Sequence, residues 1–125
     1  MNLLLDTHVL LWWLADAAEL TTPVRDAIRN PDHLVYVSAV SIWEIAIKQA
    51  LGKLTAPRAL PEVIRAQPFE PLQMTIDHAF KVAELPNHHR DPFDRLLIAQ
   101  CLVDGLTIVT GDTDIAKYDV PTLLC

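Results

Sequence analysis

The sequence is poor in glycine and cysteine, and this scarcity excludes several kinds of site. It contains 3 glycines and 2 cysteines among 125 residues. We find no glycine-rich phosphate-binding loop, no Cys or His spacing typical of zinc and no Gly-x-Ser-x-Gly nucleophile elbow. Because Cys101 and Cys125 are one distant pair, we interpret them as thiols in a reducing compartment rather than as a disulfide.

Long apolar runs are also missing. The apolar N-terminal segment has no basic residue before it and is interrupted by Asp6 and His8, so it does not fit a secretory signal. No uninterrupted apolar run approaches the roughly 20 residues that a membrane-spanning helix needs. We therefore expect a cytoplasmic protein without a membrane partner, folded as a single domain over residues 1–125.

Positive charge is scarce, since 10 lysines and arginines face 16 acids and the net charge is −6. A nucleic-acid enzyme needs a basic surface for phosphate, so either the protein binds no nucleic acid or its acids serve a cation site. The basic side chains and histidines form two groups: His88, His89, Arg90 and Arg95, and Lys48, Lys53, Arg58 and Arg65. Charge alone leaves both interpretations open.

Short apolar runs alternate with helical patterns along the chain. We predict strands over 3–5, 34–37, 69–72, 106–109 and 120–124, with Pro71 making the third an edge or irregular strand. We predict helices over 9–17, 22–29, 41–51, 57–67, 75–84 and 91–103. The alternation predicts an α/β fold with a mostly parallel central β-sheet flanked by helices on both faces, in an undetermined strand order.

Four acids are predicted to meet at the carboxyl edge of that sheet. Asp6 directly follows the first strand and Asp112 shortly follows the fourth. Glu44 and Asp94 are predicted in the first turns of the helices that follow the second strand and precede the fourth. Functional groups of open parallel sheets gather at this edge. Four neighbouring carboxylates repel each other unless a cation is present, and an all-oxygen site suits Mg²⁺ or Mn²⁺.

Several of these acids also have a purely structural interpretation. Asp6 is suited to cap the helix that follows it. Glu44 fits a capping box with Ser41 and an ion pair with Lys48, four residues later. Asp91 precedes a proline and is interpreted as a helix N-cap.

Asp94 is the acid that structure alone explains least well. It heads an apolar stripe that continues through Leu97 and Cys101, so its carboxylate is directed toward the sheet, where an unpaired charge is costly. Turn chemistry accounts for one of Asp112 and Asp114. The five histidines are scattered or, like His88 and His89, adjacent in a loop, and we interpret them as solvated or partner-facing rather than as ligands.

The motifs around these acids resemble one known family. They read Leu-Leu-Leu-Asp-Thr-His at 3–8, Ser-Ile-Trp-Glu-Ile-Ala-Ile-Lys at 41–48, His-Arg-Asp-Pro-Phe-Asp-Arg-Leu-Leu-Ile-Ala-Gln at 89–100 and Thr-Ile-Val-Thr-Gly-Asp at 107–112. Together they resemble the PIN-domain ribonucleases, and in particular the VapC-like toxins of bacterial type II toxin–antitoxin pairs. The resemblance spans essentially the whole chain.

The resemblance implies a three-layer PIN-like fold and a metal-dependent endoribonuclease that uses Mg²⁺ or Mn²⁺. It implies an RNA substrate, a homodimer and a cognate antitoxin. The metal-binding catalytic acids would be Asp6, Glu44, Asp94 and Asp112, with Asp91 and Asp114 as secondary candidates. Apart from the resemblance, Arg90 and Arg95 are candidate phosphate ligands near the acids, with solvated surface arginines as the alternative.

Two other functions remain open at this stage. One is a non-catalytic α/β interaction module whose acids are helix caps. Its partner would bind to exposed tryptophans among Trp12, Trp13 and Trp43, although core packing is their commoner use. The other is a DNA-directed PIN-type nuclease with the same metal chemistry.

Overall fold

Strands and helices alternate in the computed structural model, which describes residues 1–125. The strands are β1 (Asn2–Leu5), β2 (Leu34–Ser38), β3 (Glu70–Leu72), β4 (Thr107–Thr110) and β5 (Thr122–Leu124). The α-helices are α1 (Thr7–Ala15), α2 (Thr22–Arg29), α3 (Ala39–Ala50), α4 (Leu60–Arg65), α5 (Ile76–Lys81) and α6 (Pro92–Asp104). Single 3₁₀ turns lie at Val82–Glu84 and Ile115–Lys117. None of these helices combines the length and apolar character that a membrane span requires.

All five strands form one parallel sheet in the order β3-β2-β1-β4-β5. In β1, Leu4 lies between Tyr36 of β2 and Ile108 of β4. The predicted α/β fold is confirmed, and β3, which contains Pro71, is an edge strand as predicted.

Apolar side chains cover both faces of the sheet, so β1 reads as a continuous apolar run rather than an alternating one. Leu3 and Leu5 point to one face and pack with residues of α1, α2 and α4. Leu4 points to the other face and packs with residues of α6 and of the chain around the second 3₁₀ turn. Each such leucine is fully buried and stabilises the fold by about 1.5–3 kcal/mol.

The strand order reverses beside β1, which creates a crevice at the carboxyl edge. From β1 the chain proceeds through β2 to β3 on one side of the sheet, and then returns to β4 on the other side. The ends of β1 and β4 are joined here by a hydrogen bond of 3.0 Å from the Asp6 amide to the Val109 carbonyl. Open α/β sheets bind their ligands at such a switch point.

The start of α3 differs from the prediction. The helix begins at Ala39, and Ser38 caps it by accepting a hydrogen bond of 3.0 Å from the Val40 amide. The predicted capping box of Ser41 and Glu44 is therefore wrong, because the serine at the end of β2 takes the cap first. Ser41 instead accepts a hydrogen bond from Thr7 of α1, and Glu44 lies in the second turn.

The boundaries of α6 follow the predicted signals. Asp91 caps the helix by accepting a hydrogen bond of 3.0 Å from the Asp94 amide, and Pro92 is the first helical residue. Gly105 ends the helix in the left-handed conformation with φ 71°, which glycine adopts without strain. This N-terminus brings Asp94 to the carboxyl edge of the sheet.

Candidate metal centre

Asp6 is a fixed carboxylate at the end of β1 and is 3% exposed. Its Oδ1 accepts a hydrogen bond of 2.8 Å from the Val9 amide, so it caps α1. Its Oδ2 accepts one of 2.5 Å from the Thr110 hydroxyl at the end of β4. Burial raises the pKa of Asp6, and these two hydrogen bonds oppose the shift. The predicted cap role is confirmed, and the cap also lies in the crevice.

Asp94 lies in the first turn of α6, where other acids surround it. Burial raises the pKa of Asp94, and the negative charges of Asp91, Asp6, Glu44 and Asp112, in that order, raise it as well, so that together they bring it from 3.8 to about 8. The three acids that topology predicted to meet Asp94 are therefore all close enough to repel it. A cation would remove this repulsion.

Glu44 contributes the one buried oxygen that lacks a partner. The residue is 2% exposed, and its Oε2 accepts a hydrogen bond of 2.5 Å from Lys48, which confirms the predicted ion pair. Its Oε1 is buried and has no hydrogen-bond donor. A charged oxygen that is buried without a partner costs free energy, and a bound cation or a proton at this atom would remove that cost.

Asp112 and Asp114 face different surroundings. The Asp112 amide donates to Thr110 Oγ1 at 3.0 Å, which holds the turn after β4 against the group that also fixes Asp6. Asp114 donates its amide to Asp112 Oδ1 but pairs its own carboxylate with Lys117 at 2.8 Å. That hydrogen bond lowers the pKa of Asp114, whose side chain is exposed. The geometry brings Asp112 to the cluster and leaves Asp114 at its periphery.

His89 is the residue that sequence reasoning missed. Its Nε2 lies 3.4 Å from Asp94 Oδ2, and its Nδ1 lies 2.8 Å from the hydroxyl of Tyr118. One ligand atom each from His89, Asp94 and Asp112 lie within 4.8 Å of one another. Of the two predicted environments, solvated or partner-facing, the solvated one is wrong for His89, whose side chain is 13% exposed because the loop folds back onto Tyr118. The available signal was its position five residues before Asp94.

The two candidate phosphate-binding arginines have different environments. Arg95 donates from both terminal nitrogens to the carbonyls of Pro86, Val82 and Leu85 and to the Tyr118 hydroxyl. These bonds tie α6 to the preceding loop and occupy the groups that would bind phosphate. Arg90 is exposed, so it is the arginine left available for a substrate.

An open pocket of about 360 Å³ adjoins Asp6 and Asp112. Its wall includes Trp12 and His8, which lie one turn apart on α1 with their ring centroids separated by 6.2 Å. The Trp12 ring packs on Gly111, where an added Cβ would lie 2.8 Å from Trp12 Cη2. Trp12 therefore borders the site, whereas Trp13 packs near Phe69 and the exposed Trp43 contacts Phe93.

The donor set fits a divalent cation. It combines carboxylates whose negative charges repel Asp94, the unpartnered Oε1 of Glu44 and the imidazole of His89. Carboxylate oxygens are the usual ligands of Mg²⁺ and Mn²⁺. The same edge offers a pocket where a substrate has access to these groups.

Known proteins are similar to this chain in fold and in sequence. The family model of the PIN domain matches residues 3–121. Ribonuclease VapC22 of Mycobacterium tuberculosis (strain ATCC 25618 / H37Rv) is 31% identical over 128 residues, which cover 96% of this chain and 94% of that protein.

Solved structures agree on the fold. VapBC2 from Rickettsia felis, bound to a promoter DNA fragment, superposes with TM-score 0.75 at 12% identity, covering 100% of this chain and 99% of that chain. A toxin–antitoxin complex from Klebsiella pneumoniae superposes with TM-score 0.61 at 15% identity, covering 88% and 86%. At these identities the superpositions establish the three-layer fold.

Proposed function

The chain belongs to the PIN-domain family, and from that premise we propose that it is a metal-dependent endoribonuclease acting as the toxin of a toxin–antitoxin pair. The observation that carries the proposal is the convergence of Asp6, Glu44 and Asp112 on Asp94, together with the unpartnered Oε1 of Glu44. The metal is Mg²⁺ or Mn²⁺, and the substrate is RNA in the cytoplasm. The single sequence relative described above carries the name ribonuclease, which supports this chemistry.

Asp6, Glu44, Asp94 and Asp112 would hold the metal. When bound, it lowers the pKa of water and stabilises the negative charge that develops on the phosphate. The protein's own task is to fix the ligands, and Thr110 does so for Asp6 while Lys48 does so for Glu44. In this proposal, either Glu44 Oε1 or Asp94 accepts the proton of the attacking water. Asp91 caps α6 and Asp114 pairs with Lys117, so both act as secondary ligands at most.

The pocket beside the acids supports a single-stranded RNA substrate. Proteins recognise unpaired RNA largely by stacking its bases on aromatic side chains. Trp12 and His8 offer such rings next to Asp6 and Asp112. Arg90 is placed in the loop before α6 and is exposed, so it is available to bind a phosphate.

A second surface suits the antitoxin. An apolar groove of about 560 Å³ lies between α3, α4 and β3, and its wall includes the exposed Trp43 together with Ile42, Ile64 and Phe69. Such a groove accepts the apolar face of an amphipathic helix. We place the antitoxin here, and the Klebsiella pneumoniae structure, a toxin–antitoxin complex, supports such a partner.

The homodimer is proposed to form through α5. Ile76 and Phe80 are one turn apart on α5 and are 87% and 74% exposed, with Met74 half exposed beside them. An apolar patch of this kind on a small protein marks an interaction site. Sedimentation of the purified chain would test the dimer, and a monomer at all concentrations would contradict it.

The activity is tested by incubating the purified chain with matched single-stranded RNA and DNA oligonucleotides. We expect cleavage of RNA with Mg²⁺ or Mn²⁺, and none with a chelator. Cleavage of DNA alone would assign the DNA-directed nuclease instead. Absence of cleavage and of metal binding together would favour the non-catalytic interaction module.

A further inference from the structure

His89 is held with one nitrogen directed at the acidic cluster. Its side chain and that of Asp94 are 13% and 14% exposed, so both are largely withdrawn from water. The 3.4 Å between His89 Nε2 and Asp94 Oδ2 is close to the roughly 3 Å that separates neighbouring ligands of one ion with bonds of about 2.1 Å. The ligand atoms of His89, Asp94 and Asp112 all lie within 4.8 Å of one another, which is slightly more than twice that bond length.

The other nitrogen of His89 has the kind of partner that ligating histidines have. Nδ1 lies 2.8 Å from the Tyr118 hydroxyl oxygen, which can accept its N–H as a carboxylate, carbonyl or water does for most ligating histidines. Donation from Nδ1 leaves the lone pair of Nε2 free to face the carboxylates. The ring is also packed edge-on against Tyr118, with centroids 5.4 Å apart, which fixes its orientation.

Tyr118 is itself anchored. The residue is buried, and its hydroxyl accepts a hydrogen bond of 3.0 Å from Arg95, whose remaining donors bind the carbonyls of the loop. The chain of contacts thus runs from Arg95 through Tyr118 to His89 and ends at Asp94. A merely solvated histidine would need no such support.

From this arrangement we infer that His89 Nε2 is a ligand of the metal, so that the centre is a mixed nitrogen and oxygen site selective for Mn²⁺ over Mg²⁺. The inference rests on the proposed function and adds a ligand to it. Mg²⁺ prefers carboxylates, carbonyls and water, whereas an imidazole nitrogen favours transition metals. One nitrogen among the oxygens therefore shifts the preference of the site toward Mn²⁺.

The adjacent histidine provides a matched control. His88 also packs against Tyr118, with centroids 4.8 Å apart, but it is exposed and not grouped with Asp94 and Asp112. His89→Asn removes the imidazole and keeps an oxygen donor, and His88→Asn makes the same change one residue earlier. Circular dichroism would verify that both variants fold.

The test is electron spin-echo envelope modulation of the Mn²⁺-loaded protein, combined with calorimetry of Mn²⁺ and Mg²⁺ binding. We expect ¹⁴N modulation from a directly bound nitrogen in the wild type and in His88→Asn, and its loss in His89→Asn. We also expect the ratio of Mn²⁺ to Mg²⁺ affinity to fall on the order of 10-fold in His89→Asn only.

Wild-type protein alone decides the matter if His89→Asn does not fold. Mn²⁺ that binds without ¹⁴N modulation would overturn the assignment of His89 and leave the proposed metal-dependent function intact. An unchanged affinity ratio in folded His89→Asn would overturn it as well. Failure of any Mn²⁺ to bind would overturn both this inference and the proposed function.

Discussion

At the scale of single residues, Asp94 determines how the site behaves without metal. Burial and four neighbouring acids raise its pKa to about 8, so near neutral pH the metal-free protein holds it largely protonated. In the same cluster, His89 Nε2 lies 3.4 Å from Asp94 Oδ2. In the metal-free site a proton on Asp94 relieves the repulsion among these acids, and a bound cation would replace that proton.

A pH dependence of stability follows. The folded pKa of Asp94 lies above its unfolded value of 3.8, so between about pH 4 and pH 8 the folded state binds more protons. The free energy of unfolding must therefore decrease as pH rises through this window. We expect the thermal midpoint of the metal-free protein to decrease as the pH is raised from 5 to 8.5. We expect this decrease to be smaller in Asp94→Asn. Calorimetry with a chelator measures it, using the exposed Asp26→Asn as the control. Identical pH profiles for wild type and Asp94→Asn would contradict the account.

Gly111 is required because the Trp12 ring covers it. A methyl group there would lie 2.8 Å from Trp12 Cη2, so Gly111→Ala should destabilise the fold by about 1–3 kcal/mol. The cost should largely disappear in a Trp12→Ala background, which makes room for the methyl group. Denaturant unfolding of the double-mutant cycle measures this coupling. Additive effects of the two changes would show that the ring does not constrain Gly111.

Residue positions were predictable where the place of a residue in the chain alone decides the direction of its side chain. Asp6 and Asp94 follow from the end of a strand and the start of a helix. The distinction between Asp112 and Asp114 was not predictable, because it depends on the pairing of Asp114 with Lys117. His89 was missed since its position depends on a tertiary contact with Tyr118, 29 residues away.

At the scale of elements, the start of α3 depends on a serine that accepts one hydrogen bond and donates another. Ser38 accepts from the Val40 amide and donates to Gln100 Oε1 at 2.6 Å, which joins the start of α3 to α6. Its side chain is fully buried. One hydroxyl group thus holds together the end of β2, the start of α3 and the middle of α6.

Hydrogen exchange tests which serine begins α3. Ser38→Ala removes both bonds, and we expect a loss of about 1–3 kcal/mol together with faster exchange of the Val40 amide. Ser41→Ala is the matched control, because its hydroxyl contacts Thr7 and caps nothing. Faster Val40 exchange in Ser41→Ala than in Ser38→Ala would contradict this start of the helix.

Most elements were predictable because their signals are local. Asp91, Pro92 and Gly105 bound α6 where expected, and Pro71 marks an edge strand. The start of α3 was wrong by two residues since Ser38 and Ser41 are both capable caps, and only the end of β2 decides between them.

At the scale of the whole molecule, the parallel sheet accounts for how a chain with net charge −6 would accept the proposed RNA substrate. Four of its acids lie at the switch point, where a cation would offset them. Alternation of elements predicted the sheet and its two helical layers. It did not predict the order β3-β2-β1-β4-β5, because local sequence signals do not record which strands become neighbours. That the chain is a single domain stays a prediction.

We propose that the carboxylates at this edge hold the metal that supports RNA cleavage. The decisive measurement is the rate of Mn²⁺-dependent RNA cleavage in Asp6→Asn beside Asp26→Asn, an exposed acid on α2. Asp6→Asn keeps the shape of the side chain and an oxygen that can cap α1. We predict that it lowers the rate on the order of 100-fold or more while the fold persists, and that Asp26→Asn leaves the rate unchanged. Equal rates in folded Asp6→Asn and the wild type would contradict the account.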